Sequence, residues 1–175
     1  MQDIVAVAVS MLSATPQRWI SLAESTPESL LERAPAQGEW SARECLGHLL
    51  DAERGVFPVR VRAFLAGQDF QAFDPDAEGS PLAQRTTGDM AAEFAQLRAA
   101  SLAELGAVTE ADLARTARHS ALGAVTLSEM IHEWAAHDLM HTVQADRAML
   151  QPFIEACGPW REFFTDHIAV RSAAE

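Results

Sequence analysis

His137 and His141 stand four residues apart in HEWAAHDLMHTVQ, the stretch from His132 to Gln144. Two imidazoles at i and i+4 of a helix can grip one metal ion between them. At roughly 100° per residue, His141 lies about 40° from His137, Gln144 about 20° to the other side, and Trp134 and Met130 within about 60°. His132 falls about 140° away, on the far face of the same helix. The zinc-protease pattern H-E-x-x-H is excluded, because His132-Glu133 is followed by the next histidine at five residues rather than four. A catalytic zinc-type site needs a third protein ligand, and His48, His119 and His167 are the candidates. His119 reads as a loop residue among Arg and Ser, and His167 lies near the C-terminus. His48 alone projects from the interior of a long helix, with the small Cys45, Ala52 and Gly55 near its face, and is taken as the third ligand. On spacing alone, three unrelated core histidines remain the alternative.

The elements that must position these side chains are helical. No run of β-branched alternation nominates a strand, so the chain reads as all-α. The first helix carries Ile4, Val7, Ala8, Met11 and Leu12, and its period continues past Pro16 through Trp19 and Ile20, as one kinked helix or two. A short piece, Pro27 to Arg33, has Thr26 as its cap and proline in the first turn. The second main helix opens at the capping box Ser41-Ala-Arg-Glu44 and is expected to reach Ala66, bent at Pro58. The third starts at Thr86 and Asp89, with Met90, Phe94, Leu97 and Leu105 on one face, and closes at Gly106. The fourth opens at a second capping box, Thr126-Leu-Ser-Glu129, and runs to about Leu150.

Four such helices imply a four-helix bundle. The connections Gly67 to Arg85 and Gly106 to Val125 exceed the usual ~2–8 residues, so at least one should cross the length of the bundle. The tail with Phe153, Trp160, Phe163 and Phe164 reads as a short C-terminal helix docked on it.

With 175 residues, 49% of them hydrophobic, the chain suits a single globular domain, residues 1–175, with a sizeable core. A net charge of -12 offers no basic surface to a phosphate backbone, which argues against nucleic acid as a partner. The apolar run Ile4 to Val9 is too short for a membrane span and lacks the basic flank of a signal peptide. Two cysteines, Cys45 and Cys157, make no disulfide framework, and a cytoplasmic location is expected.

GEWSARECLGHLLDAE, Gly38 to Glu53, together with HEWAAHDLMHTVQ, resembles the DinB-like superfamily of four-helix metalloenzymes. The matching positions are Trp40, Ser41, Glu44, Gly47, His48 and Leu49 on the second helix, and His137, His141 and Gln144 on the fourth. The resemblance implies parallel second and third helices joined by a long crossover, frequent homodimers, and a divalent metal on His48, His137 and His141 with positions left open. Zinc or nickel suits such nitrogen ligands. Gln144 would hold a hydrogen bond beside the site, and Glu133 and Glu44, one turn before ligands, could orient them or accept a proton. Glu44 has a competing duty as a helix cap, and Trp40 and Trp134 read as core. Some relatives imply a metal-activated thiol-dependent S-transferase acting with a low-molecular-weight thiol on a small-molecule substrate. The alternatives are a metal-dependent hydrolase with Glu133 as general base, and a non-catalytic metal-binding stress-response protein.

Overall fold

The computed structural model describes residues 4–74, 82 and 85–169. Helix α1 (Ile4–Ser25) runs unbroken through Pro16. A proline there cannot donate to the carbonyl of Leu12, four residues back. That carbonyl instead accepts from Arg98 Nη1 at 3.0 Å, which is why one helix survives where two were conceivable. The short α2 is Glu28–Leu31, with Pro27 rather than Thr26 at its N-cap and no side-chain cap bond, so the expected Thr26 cap is not made and the turn is shorter than Pro27 to Arg33. Leu31 is buried.

The second bundle helix is two segments, α3 (Ala42–Gly55) and α4 (Phe57–Ala66), separated at Val56. The cause is the expected one, Pro58. The break falls two residues ahead of it, because proline both leaves the Arg54 carbonyl without its donor and crowds the preceding turn. Ser41 and Glu44 make the capping box, and Gly67 ends α4 at φ 68°, a left-handed value that favours glycine. Helix α5 is Thr87–Gly106, with the Thr86 hydroxyl accepting from Asp89 N. Helix α6 is Leu127–Ala156, opened by the Thr126/Glu129 box and carried past Pro152 for another turn.

Ion pairs fix the helix directions. Arg43 bonds the Leu82 and Arg85 carbonyls, Arg54 meets Glu93 at 2.9 Å and Arg62 meets Glu104 at 2.9 Å. Numbers rising together mean that α3/α4 and α5 run parallel. The segment between them therefore crosses the bundle, although 75–81, 83 and 84 lie outside the described residues. Likewise Leu12 and Asp138 meet on Arg98, and Arg18 pairs with Asp146, so α1 and α6 are parallel to each other. The core has two parts. One packs Leu12, Phe57, Phe64, Leu105, Ile131 and Trp134, and the other Trp19, Leu46, Leu49, Met90, Phe94 and Ala145.

The second long connection holds the only named strands among the described residues. Strands β1 (Thr116–His119) and β2 (Gly123–Thr126) form an antiparallel hairpin, with His119 opposite Gly123. Phe70, from the crossover, pairs beside His119, its N–H donating to the Arg118 carbonyl at 3.1 Å and its carbonyl accepting from Ser120 N at 3.2 Å.

The C-terminal stretch is a 3-10 run, Gly158–His167. It is tied to α6 by Gln151, which donates to the His167 carbonyl and accepts from Ala169 N, both at 2.9 Å. Its aromatics do not dock as expected: Trp160 is 66% and Phe163 71% exposed. No helix among the described residues is long and apolar enough to cross a membrane.

Candidate metal centre

The helical-wheel reading places His137, His141, Trp134 and Met130 on the inner stripe of α6, and the structure bears it out. Trp134, Met130 and His141 are buried, His137 is half-buried, and His132 is exposed and turned back to the Ser128 carbonyl. From α3, His48 reaches across so that its Nε2 lies 3.0 Å from His137 Nε2. One ligand atom from each of His48, His137 and His141 lies within 4.8 Å of the other two. Two Nε2 atoms bound to one zinc at ~2.0–2.1 Å would stand ~3.3 Å apart, so the trio is already near ligating geometry.

Its protonation suits a cation. Burial first, and then the neighbouring imidazoles, push His137 down to about 3, and burial with the same crowding takes His48 to about 4. His141 is also lowered by burial, against the opposing pull of Gln144 and Asp138. All three are therefore neutral at pH 7 and ready to donate lone pairs. Buried His137 Nδ1 has no hydrogen-bond partner.

Surrounding groups hold the rings. Gln144 Oε1 lies 2.9 Å from His141 Nδ1, which assigns the proton to Nδ1 and leaves Nε2 free to ligate. Trp40 stacks on His141 at 5.6 Å between centroids and tilts against His48 at 5.0 Å, so it backs the trio rather than merely filling core. Trp134 is core, stacked on Phe57 at 5.1 Å. Glu44 is exposed and committed to its cap, accepting from Ser41 N at 2.7 Å. Gly47 allows the crossover to pass close to α3, since a Cβ there would meet Leu82 Cδ2 at 2.6 Å.

The trio opens on a cleft of about 340 Å³ whose apolar walls are Ala52, Val56, Phe57, Phe73 and Met140. Its polar members beyond the trio are Glu133, Arg60 and His119. Burial raises the Glu133 pKa against the pull of Arg60, which lies 4.0 Å away. The aromatic tail around Trp160 contributes nothing to the cleft, and the crossover and hairpin form its outer wall instead. Arg60 and His119 were not singled out as site residues from the sequence. Arg60 carries no motif, and His119 was set aside as a loop histidine because its place depends on the hairpin.

A four-helix bundle with two parallel pairs thus carries a three-imidazole cluster that faces a small cleft and could hold a metal ion. The family model of the DinB superfamily matches residues 11–145, and the chain belongs to that superfamily. Its fold is similar to that of YfiT from Bacillus subtilis, described as a probable metal-dependent hydrolase with an unusual four-helix bundle topology. The TM-score is 0.75 at 17% identity, covering 87% of this chain and 89% of that one. No curated protein matches the chain.

Proposed function

We propose that the chain is a metal-dependent hydrolase of small molecules, with His48, His137 and His141 as ligands of one divalent ion, zinc or nickel. The observation that carries this reading is the convergence of three neutral imidazoles on a cleft that also holds a carboxylate, Glu133. A divalent ion there supplies Lewis acidity and lowers the pKa of a bound water toward ~7. Glu133, whose pKa is raised in the cleft against the pull of Arg60, would accept a proton and return it to a leaving group. Gln144 keeps His141 in its ligating tautomer. The cleft's size limits the substrate to a small body, since ligand clefts commonly span ~300–1,000 Å³. The description of YfiT as a probable metal-dependent hydrolase agrees with this reading.

Thiol-dependent S-transfer, the sharper expectation from the sequence resemblance, uses the same open metal face, and one experiment separates the readings. Protein purified without an affinity tag is stripped of metal, reloaded with zinc or nickel, and offered panels of esters and amides and of thiols with electrophiles. Hydrolysis that needs metal and falls ~10²–10⁴-fold in Glu133→Gln, with metal content unchanged, is the expected result. Thiol-dependent turnover in its place would establish the transferase. Metal that raises the melting temperature while neither panel is turned over would establish the non-catalytic metal protein. We also propose a homodimer, because neighbouring helices α1 and α6 leave Val7, Met11, Leu139 and Val143 exposed. The side chain of Ile4, on the same helix as Val7, lies outside the described ones. Light scattering showing a monomer at micromolar concentration would dispose of the dimer.

A further inference from the structure

The outer wall of the cleft is built by the crossover and the hairpin, with Arg60 of α4 beside them. His119 is only 9% exposed, and its Nδ1 accepts two backbone N–H groups, Ala121 at 3.1 Å and Leu122 at 3.2 Å. An Nδ1 that accepts carries no proton, so the ring is held as the Nε2–H tautomer. Burial and the nearby Arg60 charge both lower its pKa, which keeps it neutral. Nε2–H has no partner among the described residues, and the ring lines the cleft, so this buried imidazole presents one fixed donor there.

Arg60 stands beside it. Its guanidinium carbon lies 5.2 Å from the Phe70 ring centroid, and His119 meets the same ring edge-on at 5.6 Å. Phe70 is thus the shared platform, and its pairing with the hairpin fixes both donors relative to the trio. Among the described residues Arg60 makes no close ion pair. Glu133 is 4.0 Å away and the Gln71 carbonyl 3.5 Å, both at or beyond the limit of a real hydrogen bond. A half-buried guanidinium with most of its fork unused, next to a neutral N–H donor, suits a planar oxyanion bound through two or more hydrogen bonds.

Building on the metal reading above, we propose that Arg60 and His119 dock a carboxylate of the small-molecule ligand, so that its reacting end lies over the three histidines. The bound species is a short carboxylate-bearing molecule with an apolar middle, carried between Phe73 and Met140. The carboxylate could belong to the hydrolysable substrate or to a thiol co-substrate.

Zinc-loaded protein is titrated calorimetrically with acetohydroxamate, a neutral chelating probe, and with the monohydroxamates of malonic, succinic, glutaric and adipic acids. Metal content is measured in parallel. At least one carboxylated probe should bind tenfold or more tighter than acetohydroxamate. That preference should vanish in Arg60→Met and shrink in His119→Gln, while both variants keep one metal per chain and their affinity for acetohydroxamate. Equal affinities across the series in wild type, or a preference that survives in both variants, overturns the carboxylate site and leaves the metal site standing. Failure to load metal, or to bind acetohydroxamate at all, overturns the metal reading and the docking proposal with it. The two sources of the carboxylate are then separated by turnover. A carboxylated ester or amide hydrolysed faster than its neutral analogue, with the gap lost in Arg60→Met, assigns it to the substrate, and a mercaptocarboxylic acid consumed with an electrophile faster than a neutral thiol, with the same loss, assigns it to a thiol co-substrate.

Discussion

Replacing Arg98 by methionine should be among the most destabilising single changes in this chain. Arg98 is 1% exposed, and Glu53 and Asp138 are each 2% exposed. Its guanidinium forks onto Asp138 at 2.7 and 3.0 Å, reaches Glu53 Oε2 at 2.8 and 2.9 Å, and caps the Leu12 carbonyl that Pro16 leaves without a donor. One side chain therefore joins α1, α3, α5 and α6. Removing one partner of a buried ion pair costs about 3–5 kcal/mol, and orphaning the Leu12 carbonyl adds about 1–3. Together that is about 4–8 kcal/mol out of a typical total of about 5–15.

The pH dependence identifies the cause. Burial already raises the folded-state pKa of Glu53, with Arg98 pulling the other way. Without Arg98 it rises further. A carboxyl whose folded pKa is raised stabilises the fold most below its unfolded value, ~4.3, and loses that contribution as pH climbs through the folded value. The deficit of Arg98→Met against wild type should therefore be largest near pH 7.5 and smaller at pH 5.5, read by urea unfolding at both. A deficit under about 1 kcal/mol, or one that does not shrink at the lower pH, would refute the reasoning. Adding Glu53→Leu and Asp138→Leu should recover all but the Leu12 share, since apolar replacement of a whole buried ionic cluster is often neutral.

Elemental analysis of His48→Ala and His141→Ala should show loss of stoichiometric metal, and His132→Ala should keep it; the reverse pattern would contradict the geometry of α6. Gln144→Leu should still bind metal but ~10–100-fold more weakly, the usual effect of losing a ligand's supporting hydrogen bond, and an unchanged dissociation constant would mean that the 2.9 Å contact does not orient His141. In metal-free protein, histidines held down at about 4 and about 3 favour the fold above their unfolded value of ~6.5. They lose that contribution as pH falls toward those values, so the melting temperature should drop over that window, and less in His48→Ala.

What could be read from the sequence divides along the line between local and non-local structure. Capping boxes and apolar periods are local, and Ser41/Glu44, Thr126/Glu129 and the α6 stripe appear where the residue pattern puts them. The same periodicity put His137 and His141 on one face and His132 on the other. Three features escaped because each depends on a distant partner. Pro16 could not be decided between a kink and a break without knowing that Arg98, 82 positions later, bonds the carbonyl it frees. Thr116–His119 and Gly123–Thr126 are too short and too poor in β-branched residues to signal strands, and they gain a neighbour only when Phe70 arrives from the crossover. His119 in turn is a loop histidine until that hairpin buries it.

This division has a functional side. Helix periodicity supplies the positions of the three imidazoles, because Arg98 joins α3 to α6 through Glu53 and Asp138, while Trp134 of α6 stacks on Phe57 of α4. The groups proposed to meet the rest of a ligand, His119 on the hairpin and Phe73 on the crossover, come from connections rather than from the bundle helices. Arg60 is the hinge between the two systems. It sits on α4, the segment set off from α3 by Val56 ahead of Pro58, and its guanidinium rests on crossover residue Phe70. The Pro58 break thus marks the point where the helix that carries His48 gives way to a segment whose Arg60 meets the crossover at Phe70.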